Sequence, residues 1–267
     1  METINLKING IEVAAPKGST ILEAARLAHI EIPTLCFLKE INEIGACRIC
    51  IVELNNGKLV TSCVYPVEEG MEVFTNTPKV LDSRKKTLQL LLSNHNRSCL
   101  SCVRSGHCEL QELAHELGVE DEAYYDGEIT PSEIDTTAAH MIRDNSKCIL
   151  CRRCVAVCDN VQGIGVIGAN NRGFSTSICS AFEMGLGQCI AVCPTGALTE
   201  KDYTGDVFAA IADPKKHVIV QTAPAVRAGL GEECGLPIGT NVERKMAAAL
   251  RRLGFDKVFD TDFSADL

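Results

Sequence analysis

The sequence is short of several features, and each shortage excludes a class of protein. Aromatic residues make up only 4% of the 267 residues, and tryptophan is absent. No apolar run is long enough to cross a bilayer, and the N-terminal stretch METINLK lacks the basic and apolar regions of a secretory signal. Lys and Arg number 26 against 35 Asp and Glu, so the formal charge of −9 disfavours binding to a nucleic-acid backbone. We therefore expect a cytoplasmic protein with no membrane and no nucleic-acid partner.

Cysteine, by contrast, is abundant. The chain has 15 Cys, although a sequence of this length with 46% hydrophobic residues can fold around an apolar core without covalent cross-links. In a reducing compartment these thiols stay available as metal ligands. All but Cys179 and Cys234 fall into spaced groups. We interpret Cys234 as an ordinary buried thiol.

The spacing of the groups indicates metal binding. In chain order the groups are Cys36, Cys47, Cys50 and Cys63; His95, Cys99, Cys102 and Cys108; Cys148, Cys151, Cys154 and Cys158; and Cys189 and Cys193, followed by Pro194. Two residues between cysteines let both thiolates reach one centre from a tight loop. The third group has the C-x2-C-x2-C-x3-C spacing of bacterial ferredoxins, whose fourth Cys binds the neighbouring cluster. Buried free thiols, disulfides and zinc are the alternatives, and zinc is disfavoured because one zinc ion is usually held by two separated pairs.

His95 is predicted to be a ligand because it stands directly before a C-x2-C-x5-C run. A lone histidine is more often an ordinary surface or core residue. An imidazole in place of a thiolate would lower the negative charge around a cluster and change its reduction potential.

Residues 1–78 are predicted to form a small sheet with one helix. Turn sequences at residues 9–10 (NG) and 55–57 (NNG) predict two hairpins. Thr20 and Glu23 have the spacing of a capping box, which predicts a helix that begins there. The helix predicted next, over 78–93, has five expected buried residues: Val80, Leu81, Leu88, Leu91 and Leu92.

Further along, the sequence predicts a short helix over 109–117, an acidic linker over 119–140 and a βαβ unit near the end. In that unit the strands are at 218–221 and 257–260, and the helix begins at a second capping box, Thr240 and Glu243. One βαβ unit cannot complete a parallel sheet. We therefore expect either that the sequence is incomplete or that another chain completes the sheet.

Two hairpins, a helix and a cysteine-rich loop resemble the β-grasp fold of 2Fe–2S ferredoxins, and the fold class is α+β. Ten residues lie between Cys36 and Cys47, unlike the four of plant-type ferredoxins, and this longer form resembles the 2Fe–2S domain of respiratory complex I and of multi-cluster hydrogenases. The order of the motifs resembles four families. They are iron-only hydrogenases, the large iron–sulfur subunit of complex I, NAD-linked formate dehydrogenases and the small subunit of NAD-reducing nickel–iron hydrogenases.

The residues after Leu198 favour the first family. The stretches HVIVQTAPAVR from His217 and ALRRLGFDKVFDTDFSADL from Ala249 closely resemble the opening of the H-cluster domain of iron-only hydrogenases. Residues 161–177 resemble the multisubunit, NAD(P)-linked branch, which includes electron-bifurcating enzymes. The resemblance implies segments at 1–78 (β-grasp 2Fe–2S), 79–118 (His/Cys 4Fe–4S), 119–140 (linker), 141–205 (ferredoxin-like, two 4Fe–4S) and 206–267 (start of an incomplete α/β catalytic domain).

The resemblance also implies the ligands. A 2Fe–2S cluster would be bound by Cys36, Cys47, Cys50 and Cys63, one 4Fe–4S cluster by His95, Cys99, Cys102 and Cys108, and another by Cys148, Cys151, Cys154 and Cys193. A third 4Fe–4S cluster would have only Cys158 and Cys189, because Glu183 and Leu186 occupy the other two motif positions. A stretch of sequence is missing, the cluster is lost, or Cys179, with or without Glu183, substitutes. We favour the first explanation.

By resemblance, the function is electron transfer for reversible H2 formation. The chain would link a flavin- and NAD(P)-binding iron–sulfur subunit, or ferredoxin, to the H-cluster, within a hetero-oligomer that also contains a small 2Fe–2S subunit. The family's H-cluster ligands lie beyond Leu267, so we predict no catalytic residue here. Gly163, Gly165 and Gly168 match a dinucleotide fingerprint only in letters, so nicotinamide binding is assigned to a partner. The alternatives are a non-catalytic iron–sulfur subunit of another NAD-linked oxidoreductase and a zinc-binding interaction protein.

Overall fold

The computed structural model describes residues 2–119, 125, 127, 129, 132–180 and 187–262. It divides into two compact units, Met1–Lys201 and Asp202–Leu267. All of the predicted ligands belong to the first unit. Within the described residues, no helix has both the length and the apolar character needed to span a membrane.

A five-stranded mixed sheet opens the first unit. Its strands are β1 (Thr3–Ile8), β2 (Ile11–Pro16), β3 (Ile51–Leu54), β4 (Leu59–Thr61) and β5 (Glu72–Phe74), in the order β2-β1-β5-β3-β4. The central pair β1–β5 is parallel and the other neighbours are antiparallel. Both predicted hairpins are confirmed. In the first, Asn9 and Gly10 adopt positive φ angles of 53° and 82°, as a two-residue hairpin turn requires.

Helix α1 (Ile21–Leu27) covers one face of this sheet. The predicted capping box is confirmed: the Thr20 hydroxyl accepts from the Glu23 N–H, and the Glu23 carboxylate accepts from the Thr20 N–H. The helix buries Ile21, Leu22, Ala24 and Ala25 in a core shared with the sheet.

Two further helices follow, α2 (Pro78–Ser93) and α3 (Glu109–Glu116), with a 3-10 turn at Cys99–Ser101 between them. Val80 and Leu88 are fully buried as predicted, but Leu81 is 43% exposed and its prediction is wrong. Arg84 lies on the inner face of α2 instead, because it stands one helical turn after Val80 and one before Leu88.

The rest of the first unit contains short elements. They are β6 (Ile134–Asp135), β7 (Met141–Asp144), α4 (Arg153–Ala156) continuing as a π-helical turn (Val157–Val161), β8 (Ile167–Asn170), β9 (Ser177–Ser180), α5 (Gly187–Ala191) and β10 (Leu198–Glu200). Strands β10, β7 and β6 form an antiparallel sheet, and β8 and β9 form a hairpin. Strand β6 lies inside the range predicted as a linker, because residues 134–135 pair with β7. Tyr124 and Pro131 of that predicted linker lie outside the described residues.

The second unit contains α6 (Thr204–Ala212), β11 (Ile219–Thr222), α7 (Val226–Glu233), α8 (Glu243–Leu253) and β12 (Lys257–Asp260). The parallel pair β11–β12 confirms the predicted βαβ unit. The second capping box is wrong. The Thr240 hydroxyl donates to the Pro237 carbonyl, and the Asn241 side chain instead accepts from the Glu243 N–H. Cys234 is exposed, not buried, at the C-terminal end of α7.

Candidate metal centres

The first ligand set, Cys36, Cys47, Cys50 and Cys63 (the Cys36 set), is buried at the edge of two apolar clusters. Cys50 and Cys63 belong to the core of the sheet, and Cys36 and Cys47 belong to a second cluster. All four thiols are at most 5% exposed. Cys50 stands directly before β3 and Cys63 shortly after β4, so the hairpin brings them to the same end, where the Ser62 N–H donates to the Cys50 carbonyl. Cys36 and Cys47 lie in the loop that leads into β3. The four cysteines, although spaced along the chain, are thus brought together as one buried group.

Hydrogen bonds within the Cys36 set stabilise negative charge on two of its sulfurs. The pKa of Cys36 is lowered by the thiols of Cys47 and Cys63 and by the backbone N–H groups of Cys47 and Ala46. The pKa of Cys50 is lowered to about 6, mainly by the Cys63 thiol. The pKa values of Cys47 and Cys63 are raised, because both donate to neighbouring sulfurs and both are buried. These four sulfurs therefore act as one coupled group.

The second set, His95, Cys99, Cys102 and Cys108 (the His95 set), is only partly buried. Nδ1 of His95 is shielded from solvent and has no hydrogen-bond partner. Burial, together with the charge of Lys147, lowers the pKa of His95 to about 4. The imidazole is therefore neutral at pH 7, which is the form that binds metal. Burial raises the pKa of Cys108.

The His95 set rests on a segment almost a hundred residues later in the chain. A Cβ atom added at Gly196 would lie 2.5 Å from the sulfur of Cys102. The Cys108 sulfur lies 3.7 Å from the carbonyl oxygen of Pro194, and the Arg104 guanidinium donates to the Ile190 carbonyl at 2.8 Å. Glycine at position 196 is therefore required by the close approach of a sulfur atom.

The third set, Cys148, Cys151, Cys154 and Cys193 (the Cys148 set), lines one apolar cavity with Ile178, Pro194 and Leu198. Burial raises the pKa of Cys148 to about 11 and that of Cys151 to about 12, with a smaller effect from the neighbouring thiolates. The pKa of Cys154 is also raised, first by burial. Three buried thiols that resist ionisation, those of Cys148, Cys151 and Cys154, need a positive centre to hold them as thiolates.

Backbone strain accompanies the closely spaced cysteines. Arg48, between Cys47 and Cys50, has φ of 59°, and Leu150 and Arg152, on either side of Cys151, have φ of 54° and 61°. Residues other than glycine rarely adopt this left-handed backbone conformation, because it costs energy. Such strained residues are often found in functional loops.

Cys158 and Cys189 (the Cys158 pair) are fully buried in a core that also contains Cys154, Ile178 and Ile190. The sulfur of Cys189 lies 3.7 Å from the carbonyl oxygen of Cys154. Cys179 follows Ile178 in β9, so its side chain points to the opposite face of the hairpin. Glu183 and Leu186 lie outside the described residues.

The ligand sets are neighbours. Cys36, Cys47 and Cys151 belong to one apolar cluster with Leu88 and Leu110, and Cys108 packs against it. The side-chain amide of Asn42, which is 2% exposed, donates to the Cys36 carbonyl at 2.7 Å and to the Cys151 carbonyl at 3.0 Å. Arg153 forms a bidentate pair with Glu109 at 2.6 and 2.9 Å, joining α4 to α3.

Sequence reasoning missed three buried polar residues beside the sets: Asn42, Arg84 and Arg143. Arg84 donates to the Ile51 carbonyl at 2.7 Å, and burial lowers its pKa to about 10 against the opposing effect of Cys50. Arg143 lines the cavity of the Cys148 set. Its Nη1 lies 3.1 Å from an Asp135 oxygen without hydrogen-bond geometry. The spacing of the cysteines does not predict these three residues. An arginine among the apolar positions of α2 is, however, a sequence signal that could have identified Arg84.

The donor chemistry fits iron–sulfur clusters. Thiolates and one imidazole are the ligands that such clusters use, in an environment that excludes water. Among the residues that the structure describes, no three His, Cys, Asp or Glu side chains are grouped as ligands of a single metal ion. In the Cys148 set the thiols line a shared cavity instead.

Comparison with family models divides the chain in the same order as its motifs. Residues 1–78 match the 2Fe-2S iron-sulfur cluster binding domain, and residues 84–123 match the iron-sulfur binding region of NADH-ubiquinone oxidoreductase-G. Residues 138–199 match the ferredoxin-like domain of NADH-quinone oxidoreductase subunit 3, and residues 216–267 match the C-terminal domain of the iron only hydrogenase large subunit. These matches define the class of the chain as an iron–sulfur protein with 2Fe–2S and 4Fe–4S domains.

Two relatives are similar to this chain along almost all of its length. The chain is 50% identical, over its whole length, to the NADP-reducing hydrogenase subunit HndD of Solidesulfovibrio fructosivorans, and it covers 48% of that protein. It is 36% identical over 97% of its length to iron hydrogenase 1 of Clostridium pasteurianum, of which it covers 47%. The chain thus spans about half the length of these relatives.

A solved structure agrees with the fold. The chain superposes on a chain of the NAD+-reducing [NiFe]-hydrogenase in the H2-reduced state with a TM-score of 0.69 and 28% identity, covering 74% of this chain and 87% of that one.

Proposed function

We propose that this chain is the iron–sulfur electron relay of an iron-only hydrogenase subunit. It carries single electrons between an NAD(P)H- and flavin-binding partner, or ferredoxin, and the H-cluster of the complete subunit. The observation that supports this most is the placement of three four-membered ligand sets in one compact unit, with Cys36, Cys47 and Cys151 in one apolar cluster. Neighbouring redox sites in a water-excluding core are what stepwise electron transfer requires.

The residues that would hold the groups are the three sets described above. In the proposal the Cys36 set binds a 2Fe–2S cluster, and the His95 and Cys148 sets each bind a 4Fe–4S cluster. Bound clusters supply one-electron redox chemistry and no bond-making step. The chain's own residues bind them, exclude water and adjust local charge. His95 contributes a neutral ligand, and Arg84 and Arg143 contribute buried positive charge beside the Cys36 and Cys148 sets.

We also propose the finer fold assignments. The mixed sheet with a parallel central pair and one covering helix supports a β-grasp domain over 1–78. The match at 216–267 and the parallel β11–β12 pair support the start of an H-cluster domain in the second unit.

A third 4Fe–4S cluster in the intact protein is proposed at the Cys158 pair. The alignment with HndD runs over 281 positions although this chain has 267 residues, so the relative has residues without a counterpart here. A stretch with two cysteines before Gly187 would complete the set. The burial of both Cys158 and Cys189 supports this proposal.

The proposed assembly is a cytoplasmic hetero-oligomer with a flavin- and NAD(P)-binding iron–sulfur subunit and a small 2Fe–2S subunit. It is supported by the similarity to the NADP-reducing hydrogenase subunit HndD and to the NADPH-Fe(3+) oxidoreductase subunit alpha of Geobacter sulfurreducens. The glycines at 163, 165 and 168 lead from the π-helical turn into strand β8, not from a strand into a helix as in a dinucleotide fingerprint, which is consistent with nicotinamide binding by a partner.

The test is metal analysis with EPR of the dithionite-reduced protein. About 10 iron atoms per chain are expected for one 2Fe–2S and two 4Fe–4S clusters, or about 14 if the Cys158 pair is completed. Colourless protein with stoichiometric zinc would contradict the relay. H2 evolution by the complete subunit separates a hydrogenase from the second candidate, a non-catalytic subunit of an NADH-linked oxidoreductase, which two of the family matches favour.

A further inference from the structure

One buried side chain connects two of the ligand sets directly. The Asn42 amide is 2% exposed, and its NH2 group donates to the carbonyl of Cys36 at 2.7 Å and to the carbonyl of Cys151 at 3.0 Å. These two residues are separated by 115 positions in the chain and belong to different sets. A primary amide has two N–H donors, so one nitrogen serves both carbonyls.

The backbone holds this amide rigidly. The Asn42 N–H donates to the Leu38 carbonyl at 2.8 Å, and the Leu38 N–H donates to the Asn42 carbonyl at 3.1 Å, which closes a small loop directly after Cys36. The same loop has a second contact with the later segment, because the Asn160 side chain donates to the Ile41 carbonyl at 3.0 Å. Asn160 is exposed, whereas Asn42 is buried. The buried contact therefore lies between ligand residues, and the exposed one lies beside them.

We propose that Asn42 is a positioning residue for electron exchange between the Cys36 set and the Cys148 set. Asn42 fixes the distance between the two ligand loops. Its two hydrogen bonds also give the electron a bonded path in place of a gap between atoms that do not touch. On each side, three covalent bonds join the carbonyl carbon to the cysteine sulfur. The step concerned is the exchange of a single electron between the two bound clusters, in which no covalent bond breaks and no proton moves. This inference rests on the proposed relay function.

Polarity and shape can be separated by substitution. Asn42→Leu keeps the number and branching of the side-chain heavy atoms but removes both donors, so two buried carbonyls lose their partner. Asn160→Leu is the matched control, because it removes a hydrogen bond between the same two segments at the surface. Asn42→Ser keeps one donor on a shorter side chain and can serve at most one of the two carbonyls well.

The experiment uses the full-length subunit. It is mixed with less reductant than its clusters can accept and frozen at increasing times, and EPR then follows the electron as it divides between the 2Fe–2S and 4Fe–4S signals. Iron content and midpoint potentials are measured on the same samples. With both unchanged, Asn42→Leu is expected to slow the equilibration roughly ten-fold, since small misplacements of reacting groups have effects of this size or larger. Asn160→Leu is expected to change the rate less than about two-fold.

Equilibration at the native rate in Asn42→Leu would overturn the inference, and so would an equal slowing in Asn160→Leu, which would mean that any contact between the segments suffices. If Asn42→Leu does not retain iron, Asn42→Ser decides: a slower rate at full iron content supports the inference, and a native rate overturns it. Iron-free, EPR-silent native protein would instead contradict the relay itself. The two failures are therefore distinguishable.

Discussion

The Cys36 set and the His95 set have the same number of predicted ligands but are held in different ways. Every member of the Cys36 set is at most 5% exposed. Cys50 and Cys63 lie in the core of their own sheet, and Cys36 and Cys47 lie in the apolar cluster that also contains Cys151. The His95 set lies in turns and short helices, is only partly buried, and rests on Gly196 and Pro194 of a distant segment. The Cys36 set is therefore fully buried and anchored in part by its own sheet, whereas the His95 set is partly exposed and depends on contacts with residues 190–196.

The largest expected effect follows from this burial. Cys50→Ser is expected to abolish the 2Fe–2S EPR signal and to remove about two iron atoms per chain, because it deletes a ligand and places a hydroxyl in an apolar core. Cys234→Ser is the control, since Cys234 is exposed and lies in the other unit. A Cys50→Ser protein that keeps its full 2Fe–2S signal would break the comparison.

Gly196→Ala tests the dependence of the His95 set on docking. The new Cβ would lie 2.5 Å from the Cys102 sulfur, so we expect loss of one 4Fe–4S signal while the 2Fe–2S signal remains. Gly168→Ala provides the control, because a Cβ there meets no atom within 4 Å. The measurement is EPR at two temperatures with iron analysis. Equal behaviour of the two variants would show that the His95 set needs no close packing against residue 196.

His95→Cys alters charge without removing a ligand. One 4Fe–4S midpoint potential is expected to fall, because a thiolate adds negative charge where the imidazole is neutral. Redox titration followed by EPR measures this potential. The potential of the Cys36 set should not move, and a shift of the 2Fe–2S potential instead would mean that His95 acts on a different set.

The ion pair between segments is expected to have a moderate effect. Glu109→Gln leaves the Arg153 guanidinium, 7% exposed, without its counter-charge. Because the Glu109 carboxylate is 45% exposed and screened by water, we expect a loss of about 1–2 kcal/mol in the free energy of unfolding, below the range for fully buried pairs. Denaturant titration of the holoprotein measures it. A Lys86→Gln variant, which breaks an exposed pair on α2, should lose less than about 0.5 kcal/mol.

The smallest effect is expected from Thr20→Ala, which removes the cap of α1 and should destabilise the first segment by about 1 kcal/mol. The Cys36 set should then lose its cluster at a lower denaturant concentration, whereas the His95 set should not. Parallel loss of both signals would mean that the two sites unfold as one.

The sequence was most informative where structure is local. The NG turn, the Thr20 capping box and the βαβ unit follow from short patterns, and all are present in the structure. It failed where a contact distant in the chain decides. Arg84 donates to the Ile51 carbonyl and lies on the inner face of α2, whereas Leu81 is exposed. It also failed where two local hydrogen bonds compete, because the Thr240 hydroxyl donates to the Pro237 carbonyl instead of capping α8.

The same distinction applies to the site. Spacing indicated which cysteines group together, because ligands from one loop share a short stretch of chain. It could not indicate Asn42, Arg143 or Gly196, whose roles depend on contacts between residues that are far apart in sequence. Conversely, positive φ at Arg48, Leu150 and Arg152 is invisible to residue preferences, which disfavour it at all three positions.

The contact between Cys102 and Gly196 has a consequence for biosynthesis. The Cys36 set has all its predicted ligands by residue 63, and Cys50 and Cys63 are held by strands that are complete soon afterwards. The His95 set has all its predicted ligands by residue 108, yet the surface that supports it is formed by residues 190–196. The His95 set is therefore expected to become a stable cluster site only after residue 196 has been made, long after its last ligand.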